Sequence, residues 1–192
     1  MKKILMLCVF ALLLVSVSAG FAESALNPIG TLSESNYENA FFGVGCSFPD
    51  WVLSAPDGSE VNAQLAQGFA KILEGISANQ FNMMQVLILD TTADDTIPET
   101  TEGVLQKLGD ELIESLAAYG LKFKPMEVGS YALSGREESS GFCKGTVNNG
   151  TSSAYLRMIA IKKDQYILLI NGVSAGSNKT DEILSHFYRL EQ

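Results

Sequence analysis

The sequence predicts an α+β fold: a three-layer α/β/α sandwich with a mainly antiparallel central sheet. Three observations carry that reading. Several segments space their apolar residues at three and four, as helices with one buried face do. Late in the chain, β-type runs follow one another across short turns such as Asn148-Asn149-Gly150 and Lys163-Asp164, the pattern of antiparallel hairpins. Two runs, MMQVLILD (83–90) and YILLI (166–170), are apolar almost throughout and need cover on both faces. Strands and helices do not alternate regularly, so a doubly wound parallel sheet fits less well.

The chain opens MKKILMLCVFALLLVSVSAGFAES. Lys2 and Lys3 precede an apolar run from Ile4 to Val17, and Gly20 and Ala22 stand at the −3 and −1 positions of a cleavage site before Glu23. That is the layout of a secretory signal peptide over 1–22. The run is short of the roughly 20 apolar residues that a permanent membrane anchor needs, so no stable membrane insertion is expected after cleavage. The expected location is secreted, or on the exterior of the cell envelope. Cys8 falls too early in the apolar run to serve as a lipoprotein cysteine.

Cleavage at that point removes two lysines and no acid, leaving 11 basic and 22 acidic residues and a net charge of −11. Such a field repels nucleic acid and anionic membranes unless a basic patch outweighs it. Lys162-Lys163 is the longest basic grouping, and it is too small. Nucleic-acid binding is excluded on this ground. Residues 23–35, polar with Pro and Gly, read as a flexible lead-in, and 36–192 as a single domain.

Within that domain, Tyr37–Phe42, Val44–Phe48 and Trp51–Leu53 read as short strands, with Gly43 and Gly45 permitting a bend. Asp57 or Ser59 is placed to cap a helix running to Ile76, its stripe being Val61, Leu65, Phe69, Ile72, Leu73 and Ile76. MMQVLILD follows as a central strand. A second helix is expected from Pro98 to Tyr119, with Thr96 and Glu99 at capping-box spacing and Gly120 as its stop. Strands then cover Phe123–Leu133, Gly141–Val147, Ala154–Ile161 and Tyr166–Val173. The periodicity of Ile183, Leu184, Phe187 and Leu190 predicts a last helix over 179–190.

The opening Tyr37-x-Asn39-x-x-Phe42-Gly43, the Pro49-Asp50-Trp51 turn and the order of elements after it resemble the PsbP-like α/β/α sandwich family, in particular its small secreted bacterial members. The resemblance covers residues 35–190. Family members with known roles mostly bind proteins, among them a photosystem extrinsic subunit and a nuclear-import factor that binds a small GTPase. None of their contact residues can be matched here. The resemblance implies a binding or accessory role without a catalytic centre.

The residues that could carry chemistry are few. Gly172-Val173-Ser174-Ala175-Gly176 has the form of a nucleophile elbow, and Asp181 and His186, the only histidine, follow in hydrolase order. Those two lie five residues apart on one short helix, about 140° apart around its axis, which no triad tolerates. Asp90, Asp94 and Asp95 could hold a calcium ion, but their spacing is not an EF-hand loop, and acids before a helix N-terminus are favourable without metal. His186 lacks zinc-ligating neighbours. Met83, Met84, Met126 and Met158 read as core, as do Trp51, Tyr155, Tyr166 and Tyr188. Two glycosylation sequons, at Asn149 and Asn178, have no meaning in a bacterial source. No catalytic residue, metal site or cofactor is assigned.

With Cys8 removed, Cys46 and Cys143 form an even pair in an exported chain. A disulfide between them and two inert core thiols both remain open. The sequence thus describes a secreted non-catalytic binding or accessory protein whose partner, a protein or an extracellular small ligand, is unknown. A serine hydrolase acting through Ser174 and a calcium-stabilised module are the alternatives.

Overall fold

The structure, a computed structural model, describes residues 28–117, 122–147, 150 and 152–190. The predicted leader, residues 23–27 of the lead-in, the turn residues Asn148 and Asn149, and Gly120 lie outside them. The first strands are β1 (Thr31–Ser33), β2 (Asn36–Asn39), β3 (Val44–Ser47) and β4 (Trp51–Ser54). Helix α1 (Gly58–Leu65), β5 (Phe69–Ser77), β6 (Asn82–Asp90) and α2 (Thr101–Ala117) come next. A β-rich half follows: β7 (Lys122–Phe123), β8 (Glu127–Leu133), β9 (Arg136–Val147), β10 (Ser152–Lys163) and β11 (Tyr166–Ala175). Short α3 (Thr180–Leu184) and β12 (Phe187–Arg189) end the described chain.

The fold is α+β and antiparallel, as expected, but it holds two sheets rather than one central sheet between helix layers. The larger runs β4-β5-β6-β11-β10-β9-β7, with β8 also paired to β9, and the smaller runs β1-β2-β3-β12. The smaller sheet supplies much of the cover on one face that the three-layer expectation gave to helices. Its opening motif is structural. Asn39 Nδ2 donates to Pro28 O and to the Tyr37 hydroxyl, which in turn donates to Ile29 O at 2.5 Å. Phe42 N–H donates back to Asn39 Oδ1, so the turn pins the segment before β1 to the sheet.

Two expected helices are partly strand. The helix begun at Gly58, with Asp57 accepting from Ser59 N–H, stops at Leu65, and Gly68 at φ +95° turns the chain into β5. A side chain at Gly68 would also meet Ile97 at 2.8 Å. Between Lys71 and Leu73 the β5–β6 register slips, making Ile72 the extra residue of a bulge. Ile72 and Leu73 therefore both face the core, and strand spacing imitates helical spacing. At the other end, Phe187 pairs with Cys46 and Tyr188 with Gly45, so the HFYRL stretch is an edge strand after a five-residue helix.

The larger sheet buries a different cluster on each face. One face, with Ile72, Met84, Val86, Ile88, Ile159, Leu168 and Ile170, packs against Tyr37, Cys46 and Phe48 of the smaller sheet region and against Ile183 and Leu184 of α3. The other face, with Leu87, Leu89, Leu156, Met158, Ile167 and Leu169, packs against Val104 and Leu105 of α2. Helix α2 lies over β7 to β10, where Gly109 and Gly141 let both backbones close on Met126. A helix is about 10 Å wide, whereas seven strands span roughly 30 Å. One helix cannot cover that face, and α1 stands at the edge of β5 instead, its Gln64 Oε1 accepting from Lys71 N–H.

Candidate functional site

The uncovered part of that face is a groove of about 750 Å³ between α2, α1 and the floor formed by β5, β6, β10 and β11. Its apolar floor and walls include Phe69, Leu87, Leu89, Val104, Leu108 and Met158, and its mouth carries Glu60, Asp94 and Glu111. The loop from β6 to α2 closes one end, where Lys107 Nζ donates to Thr96 O at 2.7 Å.

One row of the floor is polar. Strand pairing sets Ser54 opposite Glu74, Glu74 opposite Gln85, and Gln85 opposite Asn171. Glu74 is engaged: Lys71 Nζ sits 2.9 Å from its Oε2, and Gln85 Nε2 donates to the same oxygen at 3.1 Å. Asn171 is not engaged. Its residue is 5% exposed, and its Oδ1 is buried without a hydrogen-bond partner among the described residues. Burying an unpaired amide oxygen costs about 1–3 kcal/mol, so a central strand is expected to avoid it. The sequence carries a signal for this row that its hydrophobic pattern masks: Gln85 and Asn171 are the single amides in MMQVLILD and YILLINGV.

The residues singled out for chemistry lie elsewhere and apart. Ser174 is fully buried within β11, paired with Tyr155, and its Oγ accepts from Lys179 N–H at 3.0 Å. It caps the entry to α3 and presents no nucleophile to solvent, which corrects the hydrolase alternative. His186 stacks on Phe48 with ring centroids 4.5 Å apart, and its Nδ1 lies 2.8 Å from Ser47 O. Asp181 pairs with Arg157 at 3.0 Å. Asp90 and Asp94 accept backbone N–H groups two residues on, from Thr92 and Thr96, and the Thr96 N–H holds the Asp94 carboxyl below its ordinary range. Among the described residues, no three His, Cys, Asp or Glu side chains converge on a point that could hold a metal.

Cys46 and Cys143 are both free, buried in separate clusters on opposite faces of the larger sheet. Of the two arrangements the sequence left open, the structure holds the pair as two core thiols. Burial pushes each of them up to about 12.

No protein-family model and no curated protein matches this chain. Among solved structures, the solution structure of cyanobacterial PsbP (CyanoP) from Synechocystis sp. PCC 6803 superposes with a TM-score of 0.50 at 11% identity, over 88% of this chain and 98% of that one. The chain has a PsbP-like fold. Looser likenesses are a protein of Bacteroides thetaiotaomicron (TM-score 0.42, 6% identity, 84% of this chain and 50% of that one) and LpqN of Mycobacterium tuberculosis, described as involved in cell envelope biogenesis (0.37, 13%, 73% and 75%). In this PsbP-like fold the groove is built by the larger sheet and the two helices beside it, and the opening Tyr37-Asn39-Phe42 motif serves the smaller sheet.

Proposed function

We propose that the chain is an exported, non-catalytic binding protein that holds a small ligand in the groove beside α2. The observation that carries this reading is the groove itself: an apolar floor crossed by a polar row whose Asn171 Oδ1 is unpartnered among the described residues. Its volume of about 750 Å³ falls in the range of small-molecule sites, roughly 300–1,000 Å³. A few placed polar groups within apolar walls are what fix a ligand's orientation in such sites. The leader over 1–22 supports export, and no helix among the described residues is long and apolar enough to cross a membrane. The strongest nucleophile candidate, Ser174, has no access to substrate, which favours binding over hydrolysis.

Nile red, a neutral fluorophore that brightens in apolar surroundings, tests the site. The purified protein is expected to bind it, and Leu112→Arg, which places a charge on the α2 wall, to weaken binding at least tenfold while the melting temperature stays within a few degrees. Equal binding by the two proteins removes the groove as the site.

A further inference from the structure

The groove's own chemistry narrows its ligand, on the reading that the groove is the binding site. Along the floor, Gln85 and Asn171 stand opposite each other, and toward one end of the groove the lining beyond them is apolar, with Leu87, Leu89 and Phe69. An occupant lying along the strands is therefore apolar toward that end and polar where it meets Gln85 and Asn171. Glu74, in the same polar row, is consumed by Lys71 and Gln85, so no free charge waits on the floor for a counter-charge. Asn171 remains, and its unpartnered Oδ1 is an acceptor. A neutral group that donates, a hydroxyl or an amide N–H, answers it best.

Charge excludes the commonest alternative. The lining holds Glu60, Asp94 and Glu111 against Lys71 and Lys107, and both lysines already face carboxylates, Glu74 at 2.9 Å and Glu111 at 3.9 Å. A carboxylate or phosphate entering this mouth meets like charge without a free cation, in a chain whose total charge is already negative. The cavity volume suits one small molecule and not a protein element with its side chains.

We infer that the groove binds a neutral long-chain amphiphile, an alcohol or amide of lipid type, with its polar group on Asn171 and its chain over Leu87, Leu89 and Phe69. Displacement of Nile red by three ligands of equal chain length tests this: oleyl alcohol, oleate and 1-octadecene. The alcohol is expected to displace the dye from the purified protein at a concentration at least tenfold below either of the others. Asn171→Leu is expected to bring the alcohol to the level of 1-octadecene and to leave 1-octadecene unchanged. If Asn171→Leu does not fold, Asn171→Thr, which suits a strand and keeps only a hydroxyl, is expected to retain part of the alcohol's advantage. Oleate matching the alcohol, or an advantage that survives Asn171→Leu in full, overturns the inference and leaves the groove standing. Failure of Nile red itself to bind overturns the groove and this inference together.

Discussion

At the scale of single residues, burial decides what each reactive group can do. Cys46 and Cys143 are at most 2% exposed, and desolvation lifts both thiols to about 12. Ellman's reagent is therefore expected to find no reactive thiol in the folded protein at pH 8, and two in the unfolded, unreduced chain lacking residues 1–22. An unfolded chain with none would restore the disulfide. The same shift sets a pH dependence. Because the folded value is raised above the unfolded value near 9, the thiols contribute their full stability below about pH 9. As pH rises further the unfolded chain loses its protons first. Stability then falls by about 1.4 kcal/mol per pH unit for each thiol, until the native groups titrate near 12. Replacing both cysteines with alanine is expected to flatten the alkaline limb of a urea-denaturation pH series; an unchanged limb contradicts the shift. The Tyr37 hydroxyl, also raised by burial, acts in the same direction.

At the scale of elements, β12 is tied to the larger sheet by an ion pair. Glu138 on β9 takes Arg189 of β12 and, at 3.1 Å, Arg136, while Arg189 Nη1 donates to Phe42 O at 3.3 Å. The Glu138 side chain is 9% exposed, so Glu138→Gln leaves a half-buried guanidinium without its anion. A loss of about 2–3 kcal/mol is expected in urea denaturation. A change below 0.5 kcal/mol places the pair among inconsequential surface contacts. Neither β12 nor β5 was legible from periodicity. In β5 the bulge at Ile72 adds one residue and turns a two-residue alternation into helix-like spacing, and in β12 Phe187 continues the helical spacing of Ile183 and Leu184 in α3. Strands β6, β10 and β11 were legible, because their apolar runs are long and their turns carry Asp164 and Gln165 between paired ends. The groove was not. It depends on where α2 comes to rest across the sheet, and that is set by Gly109, Met126 and Gly141, which meet although they are far apart in sequence.

At the scale of the whole molecule, the proposed export and the architecture bear on each other. Protein recovered from outside the producing cell is expected to begin at Glu23 by N-terminal sequencing, and a chain that keeps Met1 in the membrane fraction contradicts the leader reading. The two sheets bear on the same event. The centre of the larger sheet is the pairing of residues 82–90 with 166–174, and the inner strand of the smaller sheet pairs residues 44–46 with 187–189. Such distant partners fold slowly, since the long intervening loops must close before any pairing rewards them. A nascent chain emerging only as far as residue 165 lacks the strand that would bridge its two halves, and β6 is paired on its β5 side alone. Under the proposed export, the pairing that closes the larger sheet comes last, which keeps the chain short of its full fold while a translocation pore that accepts only unfolded polypeptide takes it up.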